Sequence, residues 1–88
     1  MAIFVPLITA DLARAARALA QVSLLDLAEH TGLDADLLRE VERGLRSLTP
    51  AQEERLHLAF EEFGVELLPA DDDAGVGHGV RQKFNPRT

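Results

Sequence analysis

Up to Gly64 the apolar positions that pattern this chain recur every three or four residues; beyond it Val65–Leu68 is a short apolar run and Gly79–Phe84 alternates. The first spacing belongs to helices with one buried face, the second to half-buried strands. Four helices are expected in the first part, over about residues 9–20, 23–30, 34–43 and 49–63. Thr9 is placed to cap the first, where Leu12, Ala16 and Leu19 share a face within the alanine-rich run DLARAARALA. Gln21 and Val22 break that pattern. Ser23 then opens the second helix, with Asp26 near the positive end of the helix dipole and Val22 and Leu27 at staple positions. Thr31-Gly32 ends it, because glycine accepts the left-handed backbone that closes a helix. Asp34 caps the third helix, Leu33 and Leu38 flank that cap, and Gly44 follows as the stop. Thr49-Pro50-Ala51-Gln52 combines a capping threonine, a proline at the first helical position and a glutamine that closes a capping box. Leu56, Ala59, Phe60 and Phe63 form the apolar stripe of the fourth helix.

After Gly64, Val65–Leu68 and Gly79–Phe84 read as two short strands around a turn-rich, aspartate-rich segment. The expectation is a helical domain over residues 1–64, a β-ribbon over 65–84 with a mobile loop at 69–78, and a tail at 85–88. A lone two-stranded ribbon is marginal in water, so it must lean on the helices or pair with a second subunit. A length of 88 residues leaves room for one modest core.

Composition narrows the chemistry. The chain has no cysteine, which excludes disulfides, thiolate metal sites and cysteine nucleophiles, and fits a cytoplasmic protein. The apolar opening AIFVPLITA is too short to span a bilayer and has no basic flank, so neither a membrane span nor a signal peptide is expected. His30, His57 and His78 lack the spacing of a helical metal pair. Asp71-Asp72-Asp73 lacks the ligand spacing of a calcium loop, and VGHG lacks the lysine and helix of a phosphate cradle. No metal, cofactor or enzymatic activity is therefore expected. Arg81 and Lys83 share one face of the last strand and read as an ordinary solvated edge. The formal charge of −6 opposes general attraction to phosphate backbones, so any nucleic-acid role has to rest on local charge placement.

Residues 23–44 read SLLDLAEHTGLDADLLREVERG. Within this run Ser23, Leu27, Ala28, Gly32, Leu33, Leu38, Val41, Glu42 and Gly44 stand at the offsets of the Xre/Cro-type helix-turn-helix family of bacterial and phage regulators, which the chain resembles. The opening ITADLARAARAL, and GVELLP followed by a loop and GVR, are similar to a subfamily of short members. The resemblance spans roughly residues 7 to 83. It implies a mainly α, lambda-repressor-like fold of four helices with a C-terminal two-stranded ribbon. It also implies a salt bridge between Arg17 and Glu42, and a third helix that enters the major groove of DNA. The DNA-facing positions are then Asp34, Ala35, Asp36, Leu37, Arg39 and Glu40, with Leu24 where the family usually has a glutamine. Arg39 is the expected base reader, and Arg14, Arg43 and Arg46 the expected phosphate contacts. A homodimer on palindromic or repeated double-stranded DNA is the implied assembly.

The departures from the family pattern run one way. Between Leu24 and Leu45 there are six acids and two bases, and Leu24, Leu25 and Leu37 occupy positions usually polar and outward. Acids accept from cytosine N4 and apolar groups touch thymine methyls, but neither neutralises phosphate. The alternative expectation is a degenerate helix-turn-helix protein that docks a protein, RNA polymerase or another regulator, through Leu24, Leu25 and Leu37 on an acidic face.

Overall fold

A computed structural model describes residues 8–68 and 79–83. The opening residues 1–7, the expected loop 69–78 with Asp71-Asp72-Asp73 and His78, Phe84 and the tail 85–88 lie outside the described residues. The architecture is mainly helical, with α1 (Ala10–Ala20), α2 (Leu24–Thr31), α3 (Ala35–Glu42) and α4 (Pro50–Glu62) followed by β1 (Val65–Leu68) and β2 (Gly79–Gln82).

Each helix begins at the expected cap. The Thr9 hydroxyl accepts from the Leu12 N–H at 3.2 Å, and the Asp34 carboxylate accepts from the Asp36 N–H at 2.7 Å. Ser23 with Asp26, and Thr49 with Gln52, form reciprocal capping boxes. These bonds satisfy helix N–H groups that have no partner within the helix. The ends follow the same logic. Gly32 closes α2 at φ 75°, and Gly44 follows α3 at φ 76° while the Leu45 N–H reaches back to the Glu40 carbonyl at 2.9 Å. α1 closes without a glycine, and Gln21 holds the left-handed conformation at φ 59°. Its N–H donates to the Arg17 carbonyl at 2.9 Å.

The core draws on every element. Phe60, Leu27, Leu38, Leu56 and Val65 are its largest fully enclosed side chains, joined by Ala13 and Ala16 of α1, where small residues let the helix approach closely. β1 and β2 pair antiparallel within the chain, with Leu67 opposite Val80 and Glu66 opposite Arg81. The ribbon packs on α1 and α4. Val65 and Leu67 bury one face and Val80 packs against the core from β2. On the other face Arg81 donates to the Glu66 carboxylate at 2.7 Å, which with its charge holds that carboxyl below its ordinary value. The Lys83 N–H donates to the Gly64 carbonyl at 2.7 Å and ties the end of the ribbon to the turn after α4.

Candidate nucleic-acid interface

α2, the turn Gly32–Asp34 and α3 form a helix-turn-helix in the geometric sense. Thr31 stitches the turn, its hydroxyl donating to the Leu27 carbonyl at 2.8 Å and accepting from the Leu33 N–H at 3.2 Å. Arg17 of α1 holds this unit in place. Its Nε donates to Glu42 Oε2 at 2.7 Å and its Nη2 to Glu42 Oε1 at 3.0 Å, the two-pronged arrangement a guanidinium fork is shaped for. A third bond, from Nη1 to the Val22 carbonyl at 3.3 Å, reaches the turn before α2. The Glu42 carboxylate bonds raise the Arg17 pKa above its ordinary value, and partial burial opposes that only in part. The expected Arg17–Glu42 salt bridge is thus present, and it connects α1, the entry to α2 and the end of α3.

The outward stripe of α3 is set by helical spacing. Asp36, Arg39, Glu40 and Arg43 follow one another at i, i+3, i+4 and i+7 and line one side. Asp36, Arg39 and Arg43 are exposed, Glu40 and Ala35 half-buried, and Asp34 exposed at the cap. The cations on this side are mostly engaged by the chain's own acids. Arg39 Nη1 donates to Asp36 Oδ1 at 2.6 Å, and Arg46 Nε lies 3.0 Å from Glu40 Oε1. Arg14 bonds the Asp11 carboxylate and the backbone carbonyl of Glu42, where it satisfies an acceptor at the end of α3. Arg43 is exposed and has no carboxylate partner among the described residues.

Two of the leucine expectations need correction. Leu37 is not an outward, DNA-facing or docking residue, for it is only 9% exposed and belongs to the core. Leu37 and Val41 are four apart on α3, so once Val41 faces inward Leu37 follows it, and Leu33 is buried from the turn before the helix. Leu24 is half-buried and packs against the same core, which leaves little of it for DNA or a partner. Leu25 alone of the three points outward, at 67% exposure, and the apolar cluster of Leu24, Leu25 and Leu37 does not form. Leu45, just past the end of α3, is exposed at 72%.

Residues outside the expected interface also shape the unit. Glu53, in the first turn of α4, is buried and accepts from the Ile8 N–H at 2.6 Å, fixing the chain where it enters α1. Its position near a helix N-terminus favours the negative charge. The only sequence signal was an acid in a first turn, which does not distinguish a buried anchor from a solvated one. His30 bonds Glu62 and sets its ring 4.8 Å from that of Phe63, linking α2 to α4. His57 Nε2 lies 3.7 Å from Glu61, on the same helix. Among the described residues no three metal-binding side chains converge, and no helix is long and apolar enough to cross a membrane.

No protein-family model matches the chain, and no curated protein sequence matches it significantly.

Proposed function

We propose that the chain is a sequence-specific DNA-binding transcriptional regulator that lays α3 in the major groove and acts without a cofactor as a homodimer on a palindromic or repeated site. The observation that carries this reading is the α2–α3 unit clamped by Arg17 and Glu42, with α3 turning Asp36, Arg39, Glu40 and Arg43 outward. A helix held from behind with its outer stripe facing solvent is the element that reads base edges in this class of motif. The family resemblance of residues 23–44 supports the same reading, as does the outward position of Arg39. Arg39 reads a base, and Arg43 and Arg46 flank it toward the backbone. Arg14 has a supporting role, because its donors serve Asp11 and the end of α3.

Charge placement sets the expected strength. Four free arginines on phosphate would give a salt slope of about −3.6 per chain, at roughly −0.9 for each contact. With Arg14, Arg39 and Arg46 engaged inside the chain, a slope of about −1 to −2 is expected, doubled in a dimer. The test is selection of bound duplexes from a genomic library with purified protein over a range of salt. An enriched sequence that is lost in Arg39→Ala supports the reading. Failure to enrich any sequence at low salt removes it.

Docking of a protein partner such as RNA polymerase is the second reading, favoured by the exposed Leu25 beside Asp26 and Glu29. It rests on one leucine in place of three, and Leu25→Ser separates the readings by weakening protein docking while sparing DNA selection.

A further inference from the structure

Asp36 and Arg39 sit three residues apart on α3, and their contact uses one atom of each, Arg39 Nη1 and Asp36 Oδ1. Neither the Nε nor the Nη2 of Arg39 makes a hydrogen bond among the described residues. The guanidinium is thus held from one side, while the adjacent Nε–Nη2 edge keeps the two parallel donors that match guanine O6 and N7. The pair as a whole is close to neutral, so it has little attraction for phosphate, whose contacts position a protein on DNA but carry no sequence information. Both side chains are solvated, 47% exposed for Arg39 and 82% for Asp36, and exposed pairs of this kind add little to folding. Their consequence lies in binding.

Resting on the DNA-binding reading above, we infer that Asp36 is a specificity-determining positioning residue. It fixes Arg39 for bidentate contact with a guanine and cancels the charge that would otherwise draw α3 to any phosphate. The acids of this helix then act as selectors. A site that offers guanine engages the Arg39 edge that Asp36 holds in place, whereas a site that offers only backbone leaves the carboxylate facing phosphate. Glu40 forms a second ion pair with Arg46 at the far end of the stripe, Arg46 Nε lying 3.0 Å from Glu40 Oε1.

The experiment compares the full chain with Asp36→Asn, Asp36→Ala, Arg39→Ala and the Asp36→Ala/Arg39→Ala double variant. Each is titrated with the selected duplex and with a scrambled one across salt, and urea unfolding verifies that all remain folded. Removing the Asp36 charge is expected to tighten scrambled-duplex binding several-fold and steepen its salt slope by about 0.9 per chain. The preference for the selected duplex is expected to fall roughly tenfold, within the range of one lost discriminating contact. In the Arg39→Ala background the Asp36 substitution should change neither quantity. Unaltered preference and slope in both Asp36 variants overturn the inference while DNA binding stands. The same holds if the Asp36 effect persists without Arg39, which marks a general charge effect. If neither the parent chain nor Asp36→Ala binds any duplex at low salt, the DNA-binding reading and the inference fall together.

Discussion

Arg17–Glu42 and Arg39–Asp36 join the same two kinds of charged group, one on each side of the α2–α3 unit. Toward the interior, Arg17 grips Glu42 with two donors, and the side chains are only 31% and 11% exposed. Toward solvent, Arg39 meets Asp36 through one donor, and both side chains are largely wet. Water decides the difference. Partial burial makes separation of the inner pair costly, because it leaves a carboxylate poorly solvated, whereas the outer pair exchanges freely with water and ions. The inner pair is therefore scaffold, and the outer pair is available to a ligand. The leucines repeat the contrast, with Leu37 inside and Leu25 outside although both have the same side chain.

That contrast breaks most visibly at the leucines. Leu37→Ala is expected to lower stability by about 2–3 kcal/mol, toward the low end for a buried leucine because a sliver of it is exposed. Leu25→Ala should stay within about 0.5 kcal/mol. Urea unfolding of both variants checks this, and equal effects would undo the assignment of inside and outside. Against an expected total of about 5–15 kcal/mol for a domain, the first loss is substantial.

Next in size, Arg17→Ala is expected to cost about 2 kcal/mol, reduced from the value for fully buried pairs by the partial exposure of Arg17. Arg17→Lys should recover only part of it, since an ammonium lacks the two-pronged geometry. A full recovery by lysine would show that charge alone matters there. Arg39→Ala is expected to shift stability by no more than about 0.5 kcal/mol while abolishing sequence preference in DNA selection. Comparable losses from Arg17→Ala and Arg39→Ala in urea unfolding would erase the distinction between scaffold and reader.

Smallest is a pH effect at the ribbon. Arg81 holds the Glu66 carboxyl below the ordinary 4.5, so the folded state favours the ionised form. Its contribution is fully present above the unfolded value and is lost as pH falls through the lowered folded value. The unfolding midpoint measured from about pH 6 down to pH 3 should therefore fall slightly less in Glu66→Gln than in the parent chain. A steeper fall in the variant would contradict the sign.

Much of the fold was legible because local signals agreed. Thr9, Ser23, Asp34 and Thr49 each cap the helix they were expected to cap, since capping depends on residues within one turn. Gly32 and Gly44 adopt positive φ where a turn was expected for the same local reason. The Arg17–Glu42 pair was reached through the register of the family resemblance, because nothing local joins residues 25 apart in sequence. That register places Leu37 outward, whereas Leu37 and Val41, four apart on α3, both turn into the core. The burial of Glu53 is not legible from an acid in a first turn, since its partner is the backbone N–H of Ile8, 45 residues away.

The amino-acid pattern alone settles four helices, their caps and stops, and a closing pair of strands. Each of these depends on hydrogen bonds and side-chain spacing within a few residues. Tertiary packing settles which leucines are core, where the ribbon rests, and which carboxylate holds Arg17. Those outcomes depend on burial and, for Arg17, on a carboxylate 25 residues away in the chain. Arg39 reads from the sequence as a free base reader and Arg14 and Arg46 as free cations for phosphate, and the folded chain places an acid beside each of them.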